Sequence, residues 1–112
     1  MCVVVRLPQV SYNAETAAIS VSKKKKCKLH IHHSPVATTF AIFDDELLLI
    51  DPTTEEESLS SGVVVIVVQG DQLSSVHKPG GSPLTETQLQ DCISAATSRA
   101  QHIYRLVDTA LA

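Results

Sequence analysis

The sequence predicts an α+β fold in which a mixed, mostly antiparallel sheet is covered by one long C-terminal helix. Three observations carry this. Val63–Val68 reads VVVIVV, six β-branched residues in a row, which leaves little room for helix. Thr38–Phe43 and Leu47–Ile50 are apolar runs separated only by Asp44-Asp45-Glu46, the pattern of two strands joined by a tight acidic turn. From about Glu86 to about Leu111, apolar residues recur mainly at spacings of three and four, the stripe of an amphipathic helix.

Size and composition agree with one modest domain. The chain has 112 residues, 44% hydrophobic and 19% charged, as in soluble globular proteins rather than disordered ones. Aromatic residues make up only 4%, so the core must be aliphatic. The net charge of −3 conceals a division. Lys23–Lys26 and Lys28 supply five of the nine basic residues, and residues 44–57 supply seven of the twelve acidic ones. Net charge alone therefore does not mark a nucleic-acid binder. Cys2, Cys27 and Cys92 are an odd number, widely spaced and without a CxxC pair. Reduced thiols in the cytosol or nucleus fit this better than a secreted disulfide framework. No apolar run approaches the roughly 20 residues of a membrane helix, and MCVVVRLPQV lacks the basic region of a signal peptide. A soluble intracellular protein with no membrane partner is expected.

Taken in order, Cys2–Val5 is a short, largely β-branched run closed off by Arg6-Leu7-Pro8. Ser11–Glu15 reads as a turn and Ala17–Ser22 as a weak strand suited to an edge. Lys23, Lys24, Lys25 and Lys26 read most simply as a solvated connection. A short lysine cluster also serves nuclear targeting or contact with RNA phosphates. Cys27, His30, His32 and His33 carry zinc-ligand chemistry, but not at the usual pair spacings, and no second Cys/His pair lies elsewhere. In Lys28–His32 the period of two puts Leu29 and Ile31 on one face of a strand and the histidines on the other. Solvent-facing histidines are the expectation, with no metal.

Pro35 marks entry to the central hairpin. Phe40 and Ile42, with Thr38, fall on one face of its first strand; Thr39, Ala41 and Phe43 fall on the other. Both faces are fairly apolar, and Leu47–Ile50 has no polar alternation, so both strands are expected to be covered. Asp51 is the expected cap of the turn that Pro52 opens, with Glu55, Glu56 and Glu57 near a helix N-terminus, where carboxylates are favoured. Val63–Val68 should be a central strand buried on both sides. After the Gly70-Asp71 turn, Leu73–His77 returns as an antiparallel neighbour. The loop Lys78-Pro79-Gly80-Gly81-Ser82-Pro83 then leads to a capping box, Thr85 as N-cap and Gln88 reaching back, with Leu84 and Leu89 as a hydrophobic staple. The helical stripe comprises Leu89, Cys92, Ile93, Ala96, Ala100, Ile103, Leu106, Val107 and Ala110, with Arg99 and Arg105 off it in solvent.

Common catalytic signatures are missing. Gly80-Gly81 is not followed by a P-loop Lys-Ser or Lys-Thr, and no GxSxG elbow exists. Yet the stretches PVATTFAIFDD, LLIDPTTEEE, HKPGGSPLT and LQDCISAATSR, with the lead-in LPQVSYNAETA, closely resemble the second half of RNase PH-like subunits. The resemblance is greatest to the non-catalytic core-ring subunits of the eukaryotic RNA exosome, and it spans nearly the whole chain. It implies an RNase PH domain 2-like fold. Residues 1–28 become a lead-in that would join an absent first domain, and residues 29–112 the second domain, so that the chain looks like a fragment or shortened product. The partners implied are other RNase PH-like ring subunits, a cap subunit with RNA-binding domains, and RNA. The locations implied are nucleus, nucleolus and cytoplasm.

The resemblance also supplies a test of activity. Phosphorolytic members shorten RNA from its 3′ end with inorganic phosphate, using two acidic residues six apart, basic residues and a Gly/Ser-rich phosphate site. Setting Asp51-Pro52 at the start of that motif puts Glu57 at the first acid and Val63, or with a one-residue shift Gly62, at the second. Neither side chain ligates a metal or carries a proton. Glu57, Gly62 and Val63 thus read as a degenerate former active site, with no catalytic residues and no cofactor. Gly80, Gly81 and Ser82 are candidates to offer backbone N–H groups to an anion. Lys23–Lys26, Lys78 and Arg99 are candidates for RNA contact. An inert, architectural ring subunit is the expected function. An active phosphate-dependent 3′-exoribonuclease and a free-standing small binding domain are the alternatives.

Overall fold

The computed structural model describes residues 6–111, with the side chains of Lys25, Lys26, Lys28 and Leu111 outside the description. The expected run Cys2–Val5 also lies outside it. The elements run β1 (Arg6–Asn13), β2 (Ala18–Lys28), β3 (Val36–Phe43), β4 (Leu47–Ile50), α1 (Thr54–Leu59), β5 (Gly62–Gln69), β6 (Gln72–His77) and α2 (Glu86–Leu111). The chain divides into two units, Met1–His32 with Val107–Ala112, and His33–Leu106.

The larger unit holds a four-stranded sheet of order β4-β3-β5-β6. Every strand pair in it is antiparallel, which corrects the expected mixed sheet. The reason lies in the connections. β3–β4 and β5–β6 are hairpins, and the short α1 segment carries the chain past the end of β3, so that β4 and β5 flank β3 rather than pair with each other. Asp44 and Asp45 turn the first hairpin with φ of 49° and 60°, and the Glu46 N–H donates to the Phe43 carbonyl at 3.1 Å. Positive φ at both central residues is the type I′ pattern, and aspartate tolerates it because its short side chain bonds locally.

Register decides which side chains form the core. Phe40 lies opposite Val64, Thr38 opposite Ile66 and Val36 opposite Val68, so these six share one face. Phe40, Val64, Ile66 and Val68 meet Cys92, Ala96 and Ala100 of α2 in a buried cluster. Burying one such apolar side chain contributes roughly 1.5–3 kcal/mol. The alanines bring the helix backbone close to the sheet. α2 begins as expected: the Gln88 N–H donates to Thr85 Oγ1 at 3.2 Å, and the Thr85 N–H donates to Gln88 Oε1 at 2.9 Å. Leu84 and Leu89, the staple pair, both pack on the core.

Hydrogen bonds fix the helix at both ends of the sheet. Gln88 Nε2 donates to the Asp45 carbonyl at 2.8 Å, at the β3–β4 turn. Tyr104 Oη accepts the Gly70 N–H at 3.1 Å, at the β5–β6 turn, and donates to the Ser34 carbonyl at 2.7 Å. The segment 88–104 measures about 24 Å at 1.5 Å per residue, close to the roughly 27 Å length of an eight-residue strand.

Several expectations need correction. β4 is not covered: Leu47, Leu49 and Ile50 are exposed, because β4 is an edge strand only four residues long. β5 is not buried on both sides: Val64, Ile66 and Val68 are fully buried, and Val63, Val65 and Val67 only half so. Leu106 and Ala110 of the expected stripe are exposed. Thr53, not Asp51, caps α1. Its Oγ1 accepts the Glu56 N–H at 3.3 Å while Glu56 Oε2 accepts the Thr53 N–H at 2.8 Å, a capping box two residues beyond the expected start. Asp51 instead adopts φ 58° and accepts from Arg99, which is therefore paired rather than merely solvated.

The smaller unit contains the two-stranded sheet β1-β2. The expected turn at Ser11–Glu15 lies later, at residues 14–17, so Ser11–Asn13 belong to β1. Asn13 Oδ1 accepts the Glu15 N–H at 3.0 Å and sets that turn. Arg6-Leu7-Pro8 does not end a strand but lies within β1, and Lys23–Lys26 are part of β2 rather than a connection. Lys28 is the last residue of β2. Leu29–His32 continue without regular structure, so the expected two-faced strand is absent and Leu29 and Ile31 are exposed along with the histidines.

Candidate functional site

The residues singled out for chemistry fall in two places, one in each unit. In the larger unit, α1 ends at Leu59 and β5 begins at Gly62. Ser61 between them is held twice by Ile42, its N–H and its Oγ both donating to that carbonyl, at 2.8 and 3.0 Å. The carbonyl of Ser61 in turn accepts the N–H of Ser82 at 3.1 Å. The Gly80–Ser82 loop thus closes directly on the start of β5.

The closure depends on the absence of side chains. A Cβ on Gly81, whose φ is 77°, would come within 2.5 Å of the Ser61 oxygen and 2.6 Å of Gly62 Cα. A Cβ on Gly62 would lie 3.2 Å from the Ser82 nitrogen. Both are contacts of backbone on backbone; the one at Gly81 requires glycine, and the one at Gly62 is tight. Lys78 completes the loop, its Nζ donating to the carbonyls of Gly80 at 2.7 Å and Gly81 at 3.3 Å.

The Ser82 N–H is already donated, so of the three loop amides proposed for an anion one is engaged. The Lys78 ammonium is turned onto its own loop. Gly62 lies under that loop, and Val63 is a half-buried strand residue. Glu57 is exposed on α1, its N–H and carbonyl used in the helix and its C-cap. Arg99 Nη2 lies 3.0 Å from Asp51 Oδ2, an ion pair open to solvent on both sides.

Of the zinc-like set, Cys27, His30, His32 and His33 are all exposed, and His33 Nδ1 is hydrogen-bonded to Gln69 Nε2 at 2.6 Å. Among the described residues, no three His, Cys, Asp or Glu side chains converge on a point that could hold a metal. In the smaller unit, Lys23 and Lys24 are exposed on β2, while the side chains of Lys25 and Lys26 lie outside the described residues. No described helix is long and apolar enough to cross a membrane.

Sequence reasoning missed three anchoring residues. Ser61 had a readable signal, since it precedes the first residue of a valine strand and faces a Gly-Gly-Ser loop only once the hairpin register is known. Thr53-Thr54-Glu55-Glu56 is a plain T-x-x-E capping box. Tyr104 carried no signal, because its role depends on reaching two turns distant in sequence.

A family model described as 3′ exoribonuclease family, domain 2, matches residues 33–99, more than half of the chain. The chain belongs to this family. The match begins at His33, where the larger unit begins, and ends on α2. It therefore takes in the whole four-stranded sheet, α1, the Gly-Gly-Ser loop and the first half of α2, including the core residues Cys92 and Ala96, while Ala100 and Tyr104 lie beyond it. The α+β architecture, with its antiparallel sheet and long C-terminal helix, is that of RNase PH domain 2. The loop closed on Ser61 and Gly62 thus lies inside a domain of an RNA-processing family.

Proposed function

We propose that the chain supplies the second domain of a catalytically inert RNase PH-like subunit of the eukaryotic RNA exosome ring. In its motifs it most resembles the subunit called ribosomal RNA-processing protein 43, or exosome component 8. Its work in this reading is architectural. It pairs with sister ring subunits, supports a cap subunit with RNA-binding domains and helps guide RNA to a separate nuclease, in rRNA maturation and mRNA turnover. Residues 1–28 act as the lead-in from a first domain and residues 29–112 as the second. The protein works in nucleus and nucleolus, and also in cytoplasm.

One observation carries the inert reading. Where a second acid would be needed, the chain has Gly62 and Val63, and the backbone of the Gly-Gly-Ser loop lies directly over Gly62. A Cβ there would lie 3.2 Å from the Ser82 nitrogen, so a larger side chain at this position meets the loop backbone closely. Glu57 is left without a carboxylate partner for proton transfer or metal binding.

Incubating the purified chain with single-stranded RNA and inorganic phosphate tests this. No nucleoside diphosphate is expected. Release that stops in Glu57→Gln would replace the inert reading with an active phosphorolytic 3′-exoribonuclease. Tagged protein is expected to recover ring subunits from a cell extract; failure to do so would favour a free-standing binding domain.

A further inference from the structure

The β1–β2 hairpin has its cations at one end. Residues 6–32 contain Arg6, Lys23, Lys24, Lys25, Lys26 and Lys28, against one carboxylate, Glu15, and the stretch 107–112 of the same unit adds only Asp108. Glu15 lies in the turn, next to the Asn13–Ala18 pair, while Arg6 faces Lys28 at the other end of the ladder. That separation is about 23 Å at 3.3 Å per residue, beyond the roughly 8 Å screening length of physiological salt. Glu15 therefore does not neutralise the basic end.

The lysines also interrupt the ladder. Gln9 pairs with Ser22 and Pro8 with Lys26, so Lys23, Lys24 and Lys25 have no residue opposite them. Pro8 has no N–H to give to a ladder, which is why the partner strand can loop out at this point. Two residues beyond the interruption, Arg6 lies opposite Lys28 in the register. Among the described residues, Arg6, Lys23 and Lys24 make no ion pair. An arrangement that concentrates uncompensated charge is stabilised by a polyanion.

The other cations named for RNA contact differ in this respect. Lys78 is turned onto the carbonyls of its own loop, and Arg99 is paired with Asp51. No aromatic side chain lies in the lysine run for a base to stack on.

We propose that the lysine run of β2, Lys23–Lys26, whose first three residues bulge out of the ladder, with Arg6 and Lys28 near it in the register, is a sequence-independent docking site for the phosphate backbone of single-stranded RNA. It rests on the reading of the chain as an RNA-handling subunit and gives that reading a defined contact. A nuclear-import signal is the competing use of four lysines. Such a signal is read from a free extended chain, whereas this run is built into a hairpin, with Lys26 and Lys28 both paired to β1.

The test uses the full 112-residue chain and a fluorescent oligouridylate titrated over a salt series. The parent is expected to bind with strong salt dependence. Lys23/24/25/26→Gln should bind about tenfold or more weakly at low salt, and its slope of log K against log salt should fall by up to about 3, since each phosphate contact on a single strand contributes about 0.7. Lys23/24/25/26→Arg should retain binding, and Arg99→Gln should leave it unchanged. Unaltered affinity and slope in the glutamine variant overturn the proposal. So does a glutamine variant that binds RNA normally but fails to accumulate in nuclei, which assigns the run to an import receptor. Recovery of ring subunits from extract is read separately. Loss of that recovery with lysine-dependent RNA binding intact removes the ring reading and leaves the docking site standing.

Discussion

The two faces of β5 are made of nearly the same residues and meet different fates. Val64, Ile66 and Val68 are wholly buried beneath α2, whereas Val63, Val65 and Val67 are half-exposed on the opposite face. The edge strand β4 repeats the contrast. Leu48 of β4 packs on the core, while Leu47 and Leu49, one residue to either side, are exposed. Chemical type therefore does not distinguish a core position from an uncovered one here. Placement of α2 does, through its alanine stripe and its hydrogen bonds at Asp45 and Gly70. The sheet is apolar on both sides, and its second face is partly covered, with Ala41 of β3 fully buried on it.

Mutations on the two faces should separate accordingly. Phe40→Ala removes the largest buried side chain and should cost about 3–5 kcal/mol in urea unfolding. Val65→Ala, half-buried on the other face, should cost clearly less than that. Equal losses would show that the second face is as tightly packed as the first. Next in size, Ala100→Leu should cost about 1–3 kcal/mol by forcing α2 away from β5, since Ala100 is fully buried in the cluster. If instead it stabilises the chain, the contact between helix and sheet contains unfilled space.

A smaller effect comes from Cys92. Burial first, and the Asp91 charge second, push its thiol above the ordinary value. The unfolded chain then loses that proton at lower pH than the folded one. Stability is unaffected below the ordinary thiol range, near pH 8.5, and declines as pH climbs through it toward the raised folded value. Cys92→Ala should flatten this decline in urea unfolding measured from pH 7 to 10. The same burial should leave Cys92 unreactive to a thiol reagent in the folded chain, while the exposed Cys27 is modified.

This contrast also explains what was legible in advance. The helix limits, the Thr85–Gln88 box, the acidic hairpin turn and the valine strand were readable because each is a local pattern of period, cap or turn. The exposure of Leu47, Leu49 and Ile50 was not, because VVVIVV and LLLI carry no polar alternation to say which face a helix covers. The hairpin of residues 6–28 was hidden for a different reason. Its ladder is broken at Pro8, and its lysines have poor strand propensity, so the run reads as a connection. Within the candidate site, the missing second acid at Gly62 and Val63 was visible in sequence. The backbone closure over Gly62 was not, since it brings together segments eighteen or more residues apart.

The smallest expected effect tests the covered face from within. Thr38 is 2% exposed on the face that meets α2, and its Oγ1 has no hydrogen-bond partner among the described residues. Burying a hydroxyl without a partner costs about 1–3 kcal/mol, whereas an apolar group of the same shape carries no such penalty. Thr38→Val keeps the β-branched shape and removes the orphaned oxygen, so it should raise stability by about 1 kcal/mol. Thr39→Val, one residue along on the half-exposed face, should change it by under about 0.5 kcal/mol, as surface substitutions generally do. A loss of stability in Thr38→Val would mean that the hydroxyl is satisfied in solution by a buried water. The interface between β3, β5 and α2 would then contain a polar site.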